Sequence, residues 1–324
     1  MAYFIGHITA LRYYRALLGT PGKERARALP RPNFVPNAAE LISKAKSSNN
    51  PALIDALSHS PIDLICADRA SRSKSLLANS HVWTLPEGTG FFIKVAKDIY
   101  IASPEFCFLQ LSRNCDAVQL LKIGFELCGI YSLDSASDYG FRNRKPLTNV
   151  AAIKRLATKI PNARIGTARK ILEFLRDGSA SPMETCLALT FGLPARYGGY
   201  GLGVPEMNKE IAISERETPN ISHNNYHCDL YWDGPRVAVE YNSRSFHFEE
   251  YSIEQDASRI NNLQVVGVQV IALTRLHARS PQKLDTAAHS LAKLMGKRIR
   301  SSYTDTEQRH SNLRKQLFAK DKWC

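Results

Sequence analysis

At 324 residues, 36.2 kDa and 44% hydrophobic content, the chain can hold two domains with ordinary cores. Its 43 Lys and Arg against 30 Asp and Glu give a formal net charge of +13 and a pI near 9.4, which favours a polyanionic partner such as nucleic acid. Seven cysteines, odd in number and without a CxxC pair, argue against a zinc knuckle or a disulfide framework and for a reducing compartment. The opening MAYFIGHITALRYYRALLG lacks a basic leader, and no apolar run approaches the roughly 18 residues of a membrane helix. The expectation is a cytoplasmic protein without a membrane partner.

Residues 1–131 read as an α/β module that selects substrate or partner. Tyr3 to Leu18 begins extended and turns helical after a cap signal at Thr9, and a basic, Pro-rich stretch follows that reads as a loop. Asn37 to Lys46 and Pro51 to Ser58 are predicted helices. Ile62 to Cys66, His81 to Leu85, Gly90 to Val95 and Ile99 to Ala102 are predicted strands. Ser103-Pro104-Glu105 then opens a helix that the apolar period carries to about Cys128. Strands followed by IYIASPEFCFLQLS, about residues 80–130, resemble the segment after the winged helix in AbiEi-type abortive-infection antitoxins. That resemblance implies a possible protein partner and a defence or toxin–antitoxin setting.

Residues 132–149 are polar, contain Gly and Pro and have no apolar period, so they are expected to be a linker. Residues 150–177 read as a pair of helices bearing Lys154, Arg155, Lys159, Arg164, Arg169 and Lys170. These charges either approach nucleic acid or solvate an exposed face.

The next predicted unit covers residues 178–296. Ser181-Pro182 starts a helix with Glu184 in its first turn, where an acid is either a partner of the helix dipole or part of a site. Strands are predicted at Lys209 to Ser214, Tyr226 to Trp232, Val237 to Ser243 and Val268 to Leu273, with helices at about Ile253 to Val266 and at Pro281 to Met295. The apolar runs CDLYW and RVAVEY flank the turn signal Asp233-Gly234-Pro235 and each carries one acid, Asp229 and Glu240. A two-residue turn makes these acids diagonal neighbours, whereas a four-residue turn from Asp233 to Arg236 sets them directly opposite. Pro235 lacks the N–H that closes a two-residue turn, which favours the longer one.

The resulting order α-β-β-β-α-β-α, with acids on the first helix and the second and third strands, resembles the PD-(D/E)XK restriction-endonuclease-like superfamily. Within it, the very-short-patch-repair branch is similar through Asp229-Leu-Tyr-Trp232, Val239-Glu240-Tyr241-Asn242-Ser243, His247, Asp256-Ala-Ser-Arg259, Leu263 and Gly267. The resemblance implies a mixed central sheet and a nuclease that acts on DNA rather than RNA. It also implies Mg²⁺ or Mn²⁺ held by Asp229 and Glu240, a choice that hard carboxylate oxygens suit. Glu184 would hold a metal-bound water or a second ion.

Asn242 stands where the family carries Lys or Asp, and Ser243 where it carries Gly. Asn242 shares a strand parity with Glu240 and can orient water or phosphate, while His247 is either a general acid–base or an ordinary histidine. Arg236, Arg244 and Arg259 are candidate phosphate contacts, Arg259 also being placed to pair with Asp256. The other reading of the chain is a degenerate nuclease fold that binds nucleic acid without cutting, acting as a regulator or antitoxin. Residues 297–324, with eight Lys or Arg against three acids, are expected to be a basic arm or a solvated helix.

Overall fold

The computed structural model describes residues 2–22, 36–73, 75–83, 85, 90–211, 226–242, 260–299 and 304–318. The chain is mixed α/β and divides into two compact units, Met1–Glu173 and Phe174–Cys324. Among the described residues no helix is long and apolar enough to cross a membrane, and the described cysteines are free thiols.

The first unit begins with β1 (Tyr3–Ile5) and α1 (His7–Ala16), followed by α2 (Ala38–Lys46) and α3 (Pro51–Ser58). Asn37 and Asn50 cap the last two by accepting backbone N–H groups of their first turns. Strands β2 (Ile62–Cys66), β3 (Ala78–Val82), β4 (Phe92–Ala96) and β5 (Ile99–Ala102) complete a five-stranded mixed sheet in the order β3-β2-β1-β5-β4. Helix α1 starts two residues before Thr9, with Gly6 as its cap. Thr9 has another partner, since its hydroxyl and its N–H both donate to the buried Asp63 of β2.

The predicted long helix after Ser103 is two helices, α4 (Pro104–Leu111) and α5 (Ala117–Cys128). Asp116 breaks the run, because its side chain and that of Gln119 form a reciprocal capping box at the start of α5.

Residues 132–149 are not a linker between domains. They contain β6 (Tyr131–Leu133) paired with β7 (Phe141–Asn143), and their arginines hold the first unit together. Arg142 donates to the carbonyls of Arg15 and Leu17, and Arg144 to those of Tyr14 and Glu126. The open carbonyls at the end of α1 thus find donors in a stretch whose polarity suggested solvent. Helices α6 (Val150–Ala157) and α7 (Asn162–Ile171) pack on α4 and α5 through Ile153, Leu156, Ile165 and Ile171. The boundary therefore lies at residues 173/174, after the basic helical pair.

The second unit runs α8 (Pro182–Gly192), β8 (Glu206–Ile211), β9 (Tyr226–Trp232) and β10 (Val237–Asn242), then helical residues 260–265 and β11 (Gln269–Thr274). Helices α9 (Arg275–Arg279), α10 (Pro281–Leu294) and α11 (Thr306–Phe318) follow. The sheet order is β11-β10-β9-β8, with β8, β9 and β10 antiparallel and β11 parallel to β10. One core cluster gathers Cys228, Tyr231, Ala238, Leu263 and Val268.

The described part of the basic tail is a docked helix. In α11, Leu313 and Leu317 are buried, the Cys186 thiol donates to the Leu317 carbonyl at 3.1 Å, and the His310 ring stacks on Tyr200. Its polar composition hid the Leu313/Leu317 pair, four residues apart on one face.

Candidate functional site

The β9–β10 connection is the four-residue turn Asp233 to Arg236. The ladder pairs Trp232 with Val237, Tyr231 with Ala238 and Leu230 with Val239, while Arg236 takes the left-handed conformation at φ 51° that closes the turn. Continued by one step, this register sets Asp229 opposite Glu240. The two strands part at that step. Instead of a carbonyl of β9, the carboxylate of Asp229 accepts the Tyr241 N–H, at 2.7 Å.

Both neighbours of the fork depart from regular strand geometry there. Cys228 and Tyr231 lie three apart on β9 yet reach the same core cluster, so the two-residue alternation breaks between them, across Asp229. On β8 the residue facing Asp229 is Asn208, held at φ 48° in the left-handed region that Asn tolerates better than most residues. The ladder resumes on either side of this pair in unchanged register, from Met207–Leu230 to Lys209–Cys228.

Glu184 approaches from α8. Ser181 caps that helix by accepting the Glu184 N–H, and its hydroxyl donates to Glu184 Oε1 at 2.9 Å. Glu184 Oε2 accepts the Ala180 N–H at 2.9 Å and the Asn208 side-chain amide at 2.7 Å. That amide also donates to the Gly178 carbonyl, so Asn208 ties β8 to the chain entering α8.

This is the arrangement of a helix cap, with one electrostatic addition. Burial first, and then the negative charge of Asp229, push the Glu184 carboxyl up from 4.5 to about 7, against the pull of the Ala180 amide, Asn208 and Ser181. The helix-cap reading of Glu184 is thus observed, and burial together with the charge of Asp229 raises the pKa of the capped carboxyl.

Glu240 is 5% exposed on β10. Asn242 ends that strand opposite Thr274 of β11. Arg236 donates to the Val266 carbonyl at 2.6 Å and so braces the turn before β11. His247, Arg244, Asp256 and Arg259 lie outside the described residues. Arg275 and Arg279, exposed on α9, are close enough to the Tyr241 hydroxyl to act on it electrostatically.

Asn208 was missed in the sequence, because a lone Asn in Glu-Met-Asn-Lys-Glu carries no periodic signal. Only its left-handed backbone marks it. The donor set of Glu184, Asp229 and Glu240 is one of hard carboxylate oxygens, the chemistry of Mg²⁺ or Mn²⁺. Among the described residues, no three His, Cys, Asp or Glu side chains form a ready metal-binding group. An ion there would be held by at most one or two of these carboxylates, with water and substrate oxygens completing its shell, as Mg²⁺ commonly is. In the comparisons with known proteins, no family model, no curated protein and no solved structure matches the chain.

Proposed function

We propose that the second unit is a metal-dependent nuclease of the restriction-endonuclease-like kind, acting on DNA in preference to RNA, with its site at the β9–β10 fork. The observation that carries this reading is the placement of Asp229, which leaves the ladder to take the Tyr241 amide while its charge bears on the buried Glu184. A carboxylate whose neighbour is held near neutrality is an arrangement that favours function over stability.

In this reading Asp229 and Glu240 hold Mg²⁺ or Mn²⁺, which supplies charge neutralisation at the phosphate and a more acidic water. Asp229 is oriented by the Tyr241 N–H, and Asn208 and the Ala180 amide keep Glu184 Oε2 as an acceptor. A proton on Glu184 then resides at Oε1, where the Ser181 hydroxyl can reverse to accept it. With its pKa near 7, Glu184 can exchange that proton at neutral pH and serve as acid or base. The exposed guanidiniums of Arg275 and Arg279 supply positive charge beside the fork for a phosphate backbone.

The test is incubation of the full chain with plasmid, single-stranded DNA and RNA, with and without Mg²⁺ or Mn²⁺, beside the Asp229→Asn and Glu240→Gln variants. Metal-dependent cutting abolished in both variants is the expected result. Binding without cutting in every arm would instead favour the non-catalytic reading that Asn242, in place of Lys or Asp, keeps open.

A further inference from the structure

The first unit contains a second constellation that the fork does not involve. A cavity of about 450 Å³ has Arg69, Arg72, Arg113, Arg164, His7 and His81 among its lining residues. Among the described residues no acid lines it, and four of the residues that do are arginines, which carry permanent positive charge. A volume of this order accommodates a small ligand.

The two histidines are each fixed by a contact through one ring nitrogen. His81 Nε2 lies 2.8 Å from Asp63 Oδ1, and the other carboxylate oxygen of Asp63 takes the Thr9 hydroxyl and N–H. Asp63 is buried and its carboxyl is held below its ordinary value, the pull of His81, His7 and the Thr9 amide outweighing the burial that pushes it up. Nδ1 of His81 is thereby left outside the pair.

His7 stacks on His81 with ring centroids 3.7 Å apart, and the Trp83 indole N–H donates to His7 Nε2 at 3.3 Å. That nitrogen is therefore the acceptor, and the neutral ring carries its proton on Nδ1. Burial first, and then His81 and Arg113, push the His7 pKa from 6.5 down to about 3 against the opposing pull of Asp63, so the ring stays neutral. His7 is 3% exposed, and among the described residues its Nδ1 has no hydrogen-bond partner. A buried donor without an acceptor is a local cost to the fold.

The backbone reinforces the point. His7 sits at φ 49°, where a side chain is disfavoured, and a β-carbon at Gly6 would lie within 3 Å of Gln110 and Ile65. The chain is thus closely packed at Gly6, and the positive φ of His7 carries a local conformational cost.

We propose that this cavity binds a phosphate monoester, its oxygens taking the exposed guanidinium groups of Arg72 and Arg113. A dianionic phosphate offers acceptors in several directions, which suits a cavity lined by several arginines. The phosphate has two possible sources of the same chemistry, a free nucleotide or the 5′ end of a nucleic acid strand.

Calorimetric titration of the full chain with inorganic phosphate, with adenosine 5′-monophosphate, and with one oligonucleotide bearing either a 5′-phosphate or a 5′-hydroxyl separates these. The expected result is binding of phosphate and of the nucleotide, weakened at least tenfold in the Arg72→Gln/Arg113→Gln double variant and unchanged by Asp229→Asn. Preference for the 5′-phosphorylated over the 5′-hydroxyl strand identifies a strand end, and tighter binding of the nucleotide than of either strand identifies a free nucleotide. No binding of any phosphate-bearing probe, or binding undiminished in the double variant, overturns the proposal. Both arginine sites are exposed, so the double variant is expected to fold, and its circular dichroism spectrum provides the check.

Discussion

Asp229 and Tyr241 are joined by a hydrogen bond in which a side-chain carboxylate stands where a neighbouring strand's carbonyl would be, at 2.7 Å from the amide nitrogen. The bond stabilises the end of the ladder and aims a charge into the gap between β9 and β10. Asp229→Ala removes the acceptor and leaves the Tyr241 N–H to be satisfied in another way, at a cost of about 1–3 kcal/mol. Asp229→Asn keeps an acceptor oxygen and loses only the charge. Urea denaturation is therefore expected to show Asp229→Ala clearly destabilised and Asp229→Asn close to the parent, with Mg²⁺ raising the melting temperature of the parent alone.

Glu184 gives a pH dependence whose sign follows from its raised pKa. Between about 4.5 and 7 the folded chain retains a proton that the unfolded chain has released, so stability falls as pH rises through this window. The contribution is complete below about 4.5 and lost above about 7, and it amounts to no more than on the order of 3 kcal/mol. Glu184→Gln, which mimics the protonated form, should flatten this part of the stability profile. It should also be the more stable protein at pH 8. An unchanged slope in the variant would remove Glu184 as its source.

Asn208 combines a backbone role with a side-chain role, and two substitutions separate them. Asn208→Gly preserves the left-handed backbone but loses the amide on Glu184 Oε2, which pulls the carboxyl down. The Glu184 pKa is then expected to climb further in carboxyl-selective NMR titration. Asn208→Ala adds a backbone penalty of about 1 kcal/mol over the glycine variant.

The docked helix α11 offers a test of the second unit's extent. Leu317 is fully buried and Leu313 nearly so, and truncating a buried leucine to alanine costs about 2–5 kcal/mol. Leu317→Ala is expected to lower the denaturation midpoint of the unit that contains α8. Were the tail only a solvated arm, the substitution would change nothing.

Local signals in the sequence predicted most of the elements and the outline of the fork. The Ser181-Pro182 start, the Asp233-Gly234-Pro235 turn and the valine-rich β10 each act within a few residues, so the four-residue turn and the facing positions of Asp229 and Glu240 were legible. The break at Asp116 was local too, but the apolar period on both sides of it masked the cap. What lay beyond reading were groups whose partners are distant in sequence. Asp63 looked like an ordinary strand residue until Thr9 and His81, 54 and 18 positions away, were brought to it. Arg142 and Arg144 read as linker charges, because nothing nearby shows that the α1 carbonyls, well over 100 residues earlier, are their acceptors.

The fork between β9 and β10 is proposed to cut phosphodiester bonds with a metal ion. The most direct measurement is the single-turnover rate on a labelled DNA strand, as a function of Mg²⁺ or Mn²⁺, for the parent chain and for Asp229→Asn, Glu240→Gln and Glu184→Gln. Metal-dependent cleavage is expected, falling by about 100-fold or more in the first two variants. In Glu184→Gln the expected rate is reduced and no longer responds to the ionisation near pH 7. Cleavage that survives in both Asp229→Asn and Glu240→Gln would contradict it.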